Sequence, residues 1–281
     1  VNRDNIAEEL ANIGADLNIE NDAGQTTASL LIDQGKKDLF QEFVNRRNGI
    51  DINILDDNQN SLLHYCFGPG NSNDKVKNMH KRDIADILIN AGLDINAEND
   101  QGETPLFKAI DDGNMDDIIF LKDRGADLNY ENCMGGTPLS KALSVRNNEI
   151  TKYLLENGAI AEPKQLNDLL SSAVSAKDID SAKLFLDKGA DVDTRYEDQE
   201  KYHSHFKTVL TKSFDNEELF NQLIDNGADV NAKDNYKETV LMDALKSKAG
   251  ENIIEKLIDK GADVNAKGGH DGYTPLMYGV A

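Results

Sequence analysis

Apolar residues return at helical spacing along the whole chain, in short runs separated by polar breaks. Leu106, Ala109 and Ile110 form one run, and Ile118 and Leu121 the next, each set falling on one face of a helix. The acids Asp111, Asp112, Asp116 and Asp117 flank the break between them. Runs such as Tyr153-Leu154-Leu155 and Lys256-Leu257-Ile258 close on a glycine, which fits the left-handed residue that commonly ends a helix. The pattern predicts pairs of short helices, each pair followed by an extended turn.

The turn carries a phrase that repeats. It reads Gly14-Ala15-Asp16-Leu17-Asn18, Gly49-Ile50-Asp51-Ile52-Asn53, Gly92-Leu93-Asp94-Ile95-Asn96 and Gly125-Ala126-Asp127-Leu128-Asn129. A degenerate Gly158-Ala159-Ile160-Ala161 follows, then Gly189-Ala190-Asp191-Val192-Asp193, Gly227-Ala228-Asp229-Val230-Asn231 and Gly261-Ala262-Asp263-Val264-Asn265. The glycine-to-glycine steps are 35, 43, 33, 33, 31, 38 and 34. A second phrase keeps pace: Thr104-Pro105-Leu106, Thr137-Pro138-Leu139 and Thr239-Val240-Leu241 each start eight residues after Asn96, Asn129 and Asn231, and Thr274-Pro275-Leu276 starts nine after Asn265. Thr suits a helix N-cap, and Pro suits the first helical position, whose N–H is unpaired in any case. One such unit cannot bury its own apolar face, so neighbours must stack. Stacking replaces the two-domain expectation that 281 residues would otherwise raise at roughly 150 per domain.

These two phrases and their mutual spacing resemble the ankyrin repeat, whose period and Thr-Pro-Leu-His-x-Ala motif match closely. The resemblance covers essentially residues 1–281. It implies an all-α ankyrin-repeat solenoid of stacked helix-turn-helix units with projecting β-hairpin-like turns. The units of this single array fall at about 1–17 (partial), 18–52, 53–95, 96–128, 129–161, 162–192, 193–230, 231–264 and 265–281 (partial). Only His64 occupies the motif's His position; the other units carry Ser29, Phe107, Ser140, Thr211, Met242 or Met277 there. The fifth unit has Asp168-Leu169-Leu170 in place of Thr-Pro-Leu, which weakens its first cap. Residues 1–13 read as the second helix of a unit without its first half, and the last motif opens a helix that stops at Ala281. The chain is therefore expected to be an excerpt of a longer array or a larger protein.

Departures from the period locate insertions, which map to loops. The step from Gly49 to Gly92 is ten residues too long, and the surplus lies in Gly68-Pro69-Gly70-Asn71-Ser72-Asn73-Asp74, followed by Lys75, Lys77, His80, Lys81 and Arg82. It is either a tolerated loop or a basic contact for an acidic partner. A second surplus separates Asp193 from Thr208 by 15 residues where 8 is usual. This longer finger carries Tyr196, Tyr202, His203, His205 and Phe206. Aromatics on a projecting loop suit a binding site, while packing of the finger onto its neighbours is the competing reading for Tyr196 and Phe206. His203 and His205 lack the further ligands a zinc site needs, so no metal is expected.

The resemblance implies that partners are met by the turn tips and by the exposed side of the first helices, which line a concave face. Transferred position by position, the tips lie near Asn21-Asp22, Asp56-Asp57, Asn99-Asp100, Cys133-Met134, Asp198 to Phe206, Asn235-Tyr236 and His270-Asp271. Leu30, Tyr65, Lys108, Lys141 and Asp243 should face the groove. The candidate partner-binding set is Met134, Tyr196, Tyr202, His203, His205, Phe206 and Tyr236, in the fourth to seventh units. Leu88-to-Asn96, Leu223-to-Asn231 and Leu257-to-Asn265 also have a spacing that resembles the ankyrin sites modified by an asparaginyl hydroxylase, unless those Asn residues simply bridge backbone groups in the turn.

Composition narrows the function. With 30 basic and 51 acidic side chains the net charge is −21, which disfavours a nucleic-acid partner and favours a basic protein partner. No apolar run approaches the roughly 18 residues of a helical membrane span. Two cysteines, Cys66 and Cys133, exclude a disulfide scaffold and suit a reducing compartment, so the cytoplasm, or a host cytosol for a secreted effector, is the expected location. Phosphate-loop, dinucleotide, nucleophile-elbow and zinc-protease motifs are missing. The paired acids near Asp111 to Asp117 are expected to be solvated surface groups, and Cys66 a small buried hydrophobe. The expectation is a non-catalytic protein-interaction module with no cofactor and no small-molecule substrate. The alternative is a substrate-recruiting region of a larger enzyme or effector.

Overall fold

The computed structural model describes residues 3–22, 24–67, 75–200, 203–269 and 271–280, with backbone only at 198–200 and 203–205. The inserted segment 68–74 and Tyr202, His270 and Ala281 lie outside the described residues. The chain divides into two compact units, Val1–Ile160 and Ala161–Ala281.

The first unit runs α1 (Arg3–Asn12), α2 (Thr27–Gln34), α3 (Lys37–Val44), α4 (Leu62–Cys66), α5 (Lys75–Asn90), α6 (Pro105–Asp112), α7 (Met115–Asp123), α8 (Pro138–Ser144) and α9 (Asn148–Glu156). Helices pair as hairpins, α2 with α3 through α8 with α9, and first helices stack on first helices, as α6 does on α4 and α8. Ile32, Phe40, Leu63, Leu88, Ile110 and Leu121 are wholly buried between the layers. Motif threonines start the first helices as expected: Thr26 and Thr137 accept the N–H of Ser29 and Ser140, and both serines return a bond to the cap's own N–H. Thr104 sits at the same position without a side-chain cap bond.

The second unit contains α10 (Pro163–Ala176), α11 (Ile179–Asp187), β1 (Arg195–Glu200), β2 (His203–Thr208), α12 (Val209–Lys212), α13 (Glu217–Asp225), α14 (Val240–Lys246), α15 (Glu251–Asp259) and α16 (Pro275–Val280). Leu170, Ala182, Val209, Leu223, Met242 and Leu257 form its buried layer. The expected weak cap at Asp168-Leu169-Leu170 is corrected. Helix α10 starts at Pro163 behind Glu162, whose N–H donates to Gln165 Oε1 at 2.9 Å, and Asp168 lies in mid-helix. The early Pro and this reciprocal cap set the start, so a 14-residue helix takes the place of the extended turn.

Glycines after the second helices do what the phrase predicts. Gly227, for example, has φ +90 with open space around a would-be Cβ, so its requirement is conformational. Gly49 differs: a Cβ there would lie 2.1 Å from the Phe43 carbonyl oxygen, so its requirement is space.

Three of the turn asparagines stitch their turn to the next with two bonds each. Asn18 donates to Gly49 O at 3.1 Å and accepts from Asp51 N at 2.7 Å. Asn129 donates to Gly158 O at 3.1 Å and accepts from Ile160 N at 2.7 Å. In the second unit Asn231 does the same with Gly261 O and Asp263 N, at 3.0 and 2.7 Å. The degenerate fifth turn has no such Asn, and Asn167 from inside α10 accepts the N–H of Asp191 instead, at 2.8 Å.

Candidate functional site

The tips are built by an Asp or Asn at one place. Asp56, Asn99, Asn132 and Asp234 each lie three residues after a turn Asn. Each side-chain oxygen accepts the backbone N–H groups two and four residues on: Asn58 and Asn60 for Asp56, Gln101 and Glu103 for Asn99, Met134 and Gly136 for Asn132, Tyr236 and Glu238 for Asp234, all between 2.7 and 3.1 Å. Such side-chain turns close the chain on itself and push the intervening residue outward. Met134 is accordingly 72% exposed. From the sequence Asp56 and Asn99 are placed at tips without this role and Asn132 and Asp234 are not singled out, although the shared offset from the turn Asn was available as a signal.

In the second unit the inserted finger forms an antiparallel hairpin of β1 and β2, with Arg195 opposite Thr208 and Glu200 opposite His203. Phe206 projects from it, 46% exposed, while its backbone N–H donates to Asn235 Oδ1 of the next tip at 3.1 Å. Tyr236, on that tip, is half-buried, and its carbonyl accepts Gly269 N–H at 3.0 Å. Tyr196 is turned to packing: its hydroxyl meets Thr211 Oγ1 at 3.1 Å and Lys212 Nζ stands 3.7 Å from its ring centroid. The structure thus brings Tyr196, Phe206 and Tyr236 to neighbouring tips of one unit. Met134 belongs to the other unit, the backbones of His203 and His205 lie on β2, and Tyr202 falls outside the described residues. Among the described residues no group of three or more His, Cys, Asp or Glu could hold a metal ion.

In the first unit a cleft of about 450 Å³ opens between the first helices and α5, lined among others by Ser29, Asp33, His64, Tyr65, Lys81 and Lys108. Leu30 is 37% exposed on α2. Tyr65 donates to Asp56 Oδ2 at 2.7 Å, and burial together with that carboxylate pushes its hydroxyl far above the ordinary range. Lys108 and Lys141 converge on Glu103, and Lys141 also reaches Asp111 at 2.7 Å. The Glu103 carboxyl, despite the opposing effect of burial, is held below its usual value by those two lysines. His64 uses both ring nitrogens, one with Ser61 and the other with the carbonyl of Glu103 at 2.9 Å. Burial lowers its pKa, and this bracing of α4 against the next repeat leaves no ring nitrogen for proton transfer.

Two expectations are corrected. Asp243, assigned to the groove, is 7% exposed and paired with Lys207 Nζ at 3.1 Å; the longer finger carries Lys207 over it. Asp117, assigned with Asp116 to the solvated surface, is 1% exposed. It faces Arg82 at 3.2 Å and Asn114 at 2.8 Å, because the third position of α7 points into the stack. Of the basic run after the insertion, Lys77 and Lys81 approach Asp33, His80 contacts the Gly35 carbonyl, and Arg82 serves Asp116 and Asp117, while Lys75 is exposed. Cys66 is buried where the repeat carries Ala in other units, and Cys133 is exposed.

Comparison with known proteins adds a family. A family model described as ankyrin repeats matches three times, over residues 73–167, 118–196 and 209–281. A Rickettsia felis protein named as an ankyrin repeat protein is 37% identical over 89 residues, 30% of this chain and 39% of that protein. A serine/threonine-protein kinase of Dictyostelium discoideum is 28% identical over 95 residues, 34% of this chain and 10% of the kinase. The matched stretches therefore span well under half of either relative. Among solved structures, the human ASB11 ankyrin repeat domain is similar with a TM-score of 0.45 at 20% identity, covering 85% of this chain and 99% of that one. With the family model matching most of its length and the repeat phrases seated at caps and turns, the chain belongs to the ankyrin repeat family, whose repeats are generally protein–protein interaction modules.

Proposed function

We propose that this array is a non-catalytic recognition module that holds a protein partner with its tips and the exposed side of its first helices. The observation that carries this reading is Phe206, a large apolar side chain 46% exposed on a projecting hairpin and flanked by the Tyr236 tip. An aromatic presented on a preformed scaffold gives contact area at low ordering cost. The partner is basic: a net charge of −21 speeds encounter with a cationic surface and makes association fall with salt. The test is capture of partners by the immobilised chain with mass spectrometry, then affinity for the captured protein across ionic strength. Replacing Phe206 and Tyr236 by Ala should weaken binding about tenfold or more, a loss of at least ~1.4 kcal/mol, while the melting temperature holds. Unchanged affinity moves the site elsewhere, and an on-rate insensitive to salt removes the charge argument.

A second reading, recruitment of substrate to a catalytic region on the same polypeptide, rests on the Dictyostelium relative, in which the similar stretch is 10% of a protein kinase. The open reading frame of the parent gene separates the two, since a kinase region carries its own phosphate-binding and catalytic loops.

A further inference from the structure

Successive tips are joined through their backbones. In the first unit the N–H of Asp100 donates to the carbonyl of Asn58 at 3.0 Å, and in the second the N–H of Gly269 donates to that of Tyr236 at 3.0 Å. Within the second unit, among the described residues, the β1–β2 hairpin has a neighbouring tip beside β2 and none beside β1. Beside β2 stands the 235–236 tip. The repeat before β1 has no room for one, because Pro163 opens α10 five residues after Gly158, whereas Pro138 opens α8 thirteen after Gly125.

Register shows which groups this leaves open. Val209 N–H donates to the Thr194 carbonyl at 3.0 Å, so the pairs 196/207, 198/205 and 200/203 exchange hydrogen bonds while 195/208, 197/206 and 199/204 do not. Phe206 donating away from β1, to Asn235, agrees with this phase. The N–H and carbonyl groups of Arg195, Glu197 and Gln199 therefore point away from β2, and among the described residues no backbone group pairs with them. Three alternate residues with outward donors and acceptors make a template for one more strand.

We propose that the outer edge of β1 takes up an extended, Lys- and Arg-rich segment of a partner protein as a third strand. Charge selects that occupant. The strand Arg195-Tyr196-Glu197-Asp198-Gln199-Glu200 holds three acids against one base, and a second copy pairing through the same edge would set acids against acids. The proposal rests on the protein-binding reading above and gives it a mode and a partner chemistry.

The test uses the full chain and a fluorescein-labelled octapeptide of alternating Lys and Val, followed by anisotropy and by amide hydrogen exchange. Peptide binding should protect the amides of Arg195, Glu197 and Gln199. Glu197→Pro deletes one outward N–H and leaves the β1–β2 bonds in place, since edge strands accept Pro. It should weaken the peptide about tenfold or more without lowering the melting temperature. Glu197→Lys, which keeps the backbone donor, should weaken the same peptide and favour an alternating Glu-Val one. No binding by the unmodified chain, equal binding by the Pro variant, or protection of those amides by the chain's own concentration would each overturn the proposal. A captured partner lost with Phe206→Ala and Tyr236→Ala but retained by Glu197→Pro would leave the recognition reading standing and remove only the edge.

Discussion

Asp117 offers a direct test of the packing described for the first unit. Its carboxylate is 1% exposed, with Asn114 and Arg82 as hydrogen-bonding neighbours. Burial pushes its pKa from 3.8 up to about 6; Arg82 and Lys81 pull against that shift, and Asp112 and Asp116 add to it. The folded chain thus holds this proton more tightly than the unfolded one. The residue's contribution to stability is complete at acid pH, falls as pH rises from about 4 through 6, and is flat above. At about 1.4 kcal/mol per pKa unit, the loss between pH ~4.5 and pH ~7 is about 2 kcal/mol. Asp117→Asn keeps the shape and removes the titration. Relative to the parent chain, the variant should therefore gain about 2 kcal/mol on passing from the lower pH to the higher. Fifty-one acidic side chains titrate in the same chain, so the difference between two proteins is the informative quantity. Urea unfolding followed by circular dichroism at both pH values measures it, and a carboxyl carbon NMR titration reads Asp117 itself. Parallel profiles, or a midpoint at or below the ordinary carboxylate value, would show that the site is wetter than the packing implies.

Two further predictions concern the turns and the thiols. Asn231→Ala removes a bond given to Gly261 and one taken from Asp263 and should cost about 1–2 kcal/mol, whereas Asn265→Ala, whose residue is bonded through its own backbone N–H to Asp263, should cost less; equal losses in thermal unfolding would contradict the stitching role. Under native conditions a maleimide should label Cys133 alone, since Cys66 is buried and burial pushes its thiol well above the usual range; mass spectrometry should then find the second adduct only after denaturation.

Local rules and period made most of the fold legible in the sequence. Thr26 and Thr137 cap where the motif places them, the post-helix glycines other than Gly49 take positive φ, and the long gap after Asp193 becomes a hairpin. The errors arise where a residue's surroundings come from another repeat. Asp117 reads as a surface acid because its neighbours in sequence are acids, but Arg82 meets it from 35 residues away. Asp243 faces the groove by helical phase until Lys207, carried by an insertion, covers it. Asp168 holds the motif's position by count, yet Pro163 starts the helix earlier. Of the candidate contact residues, the exposure of Met134 and Phe206 follows from tip and hairpin geometry, while for Tyr196 the choice between contact and packing, open in the sequence, is decided by Thr211 and Lys212 of α12.

The carboxamide ladder has an outcome for how such a chain can change. Because Asn18, Asn129 and Asn231 grip the following turn directly, one part of the cohesion between neighbours does not pass through the loop between the turn and the next helix. That intervening loop can then grow to a hairpin after Asp193 or vanish before α10, where Asn167 supplies the accepting half of the clasp. That clasp and the displayed tip side chains reside in separate residues, so what a repeat shows can be rewritten while the turn-to-turn clasp is kept.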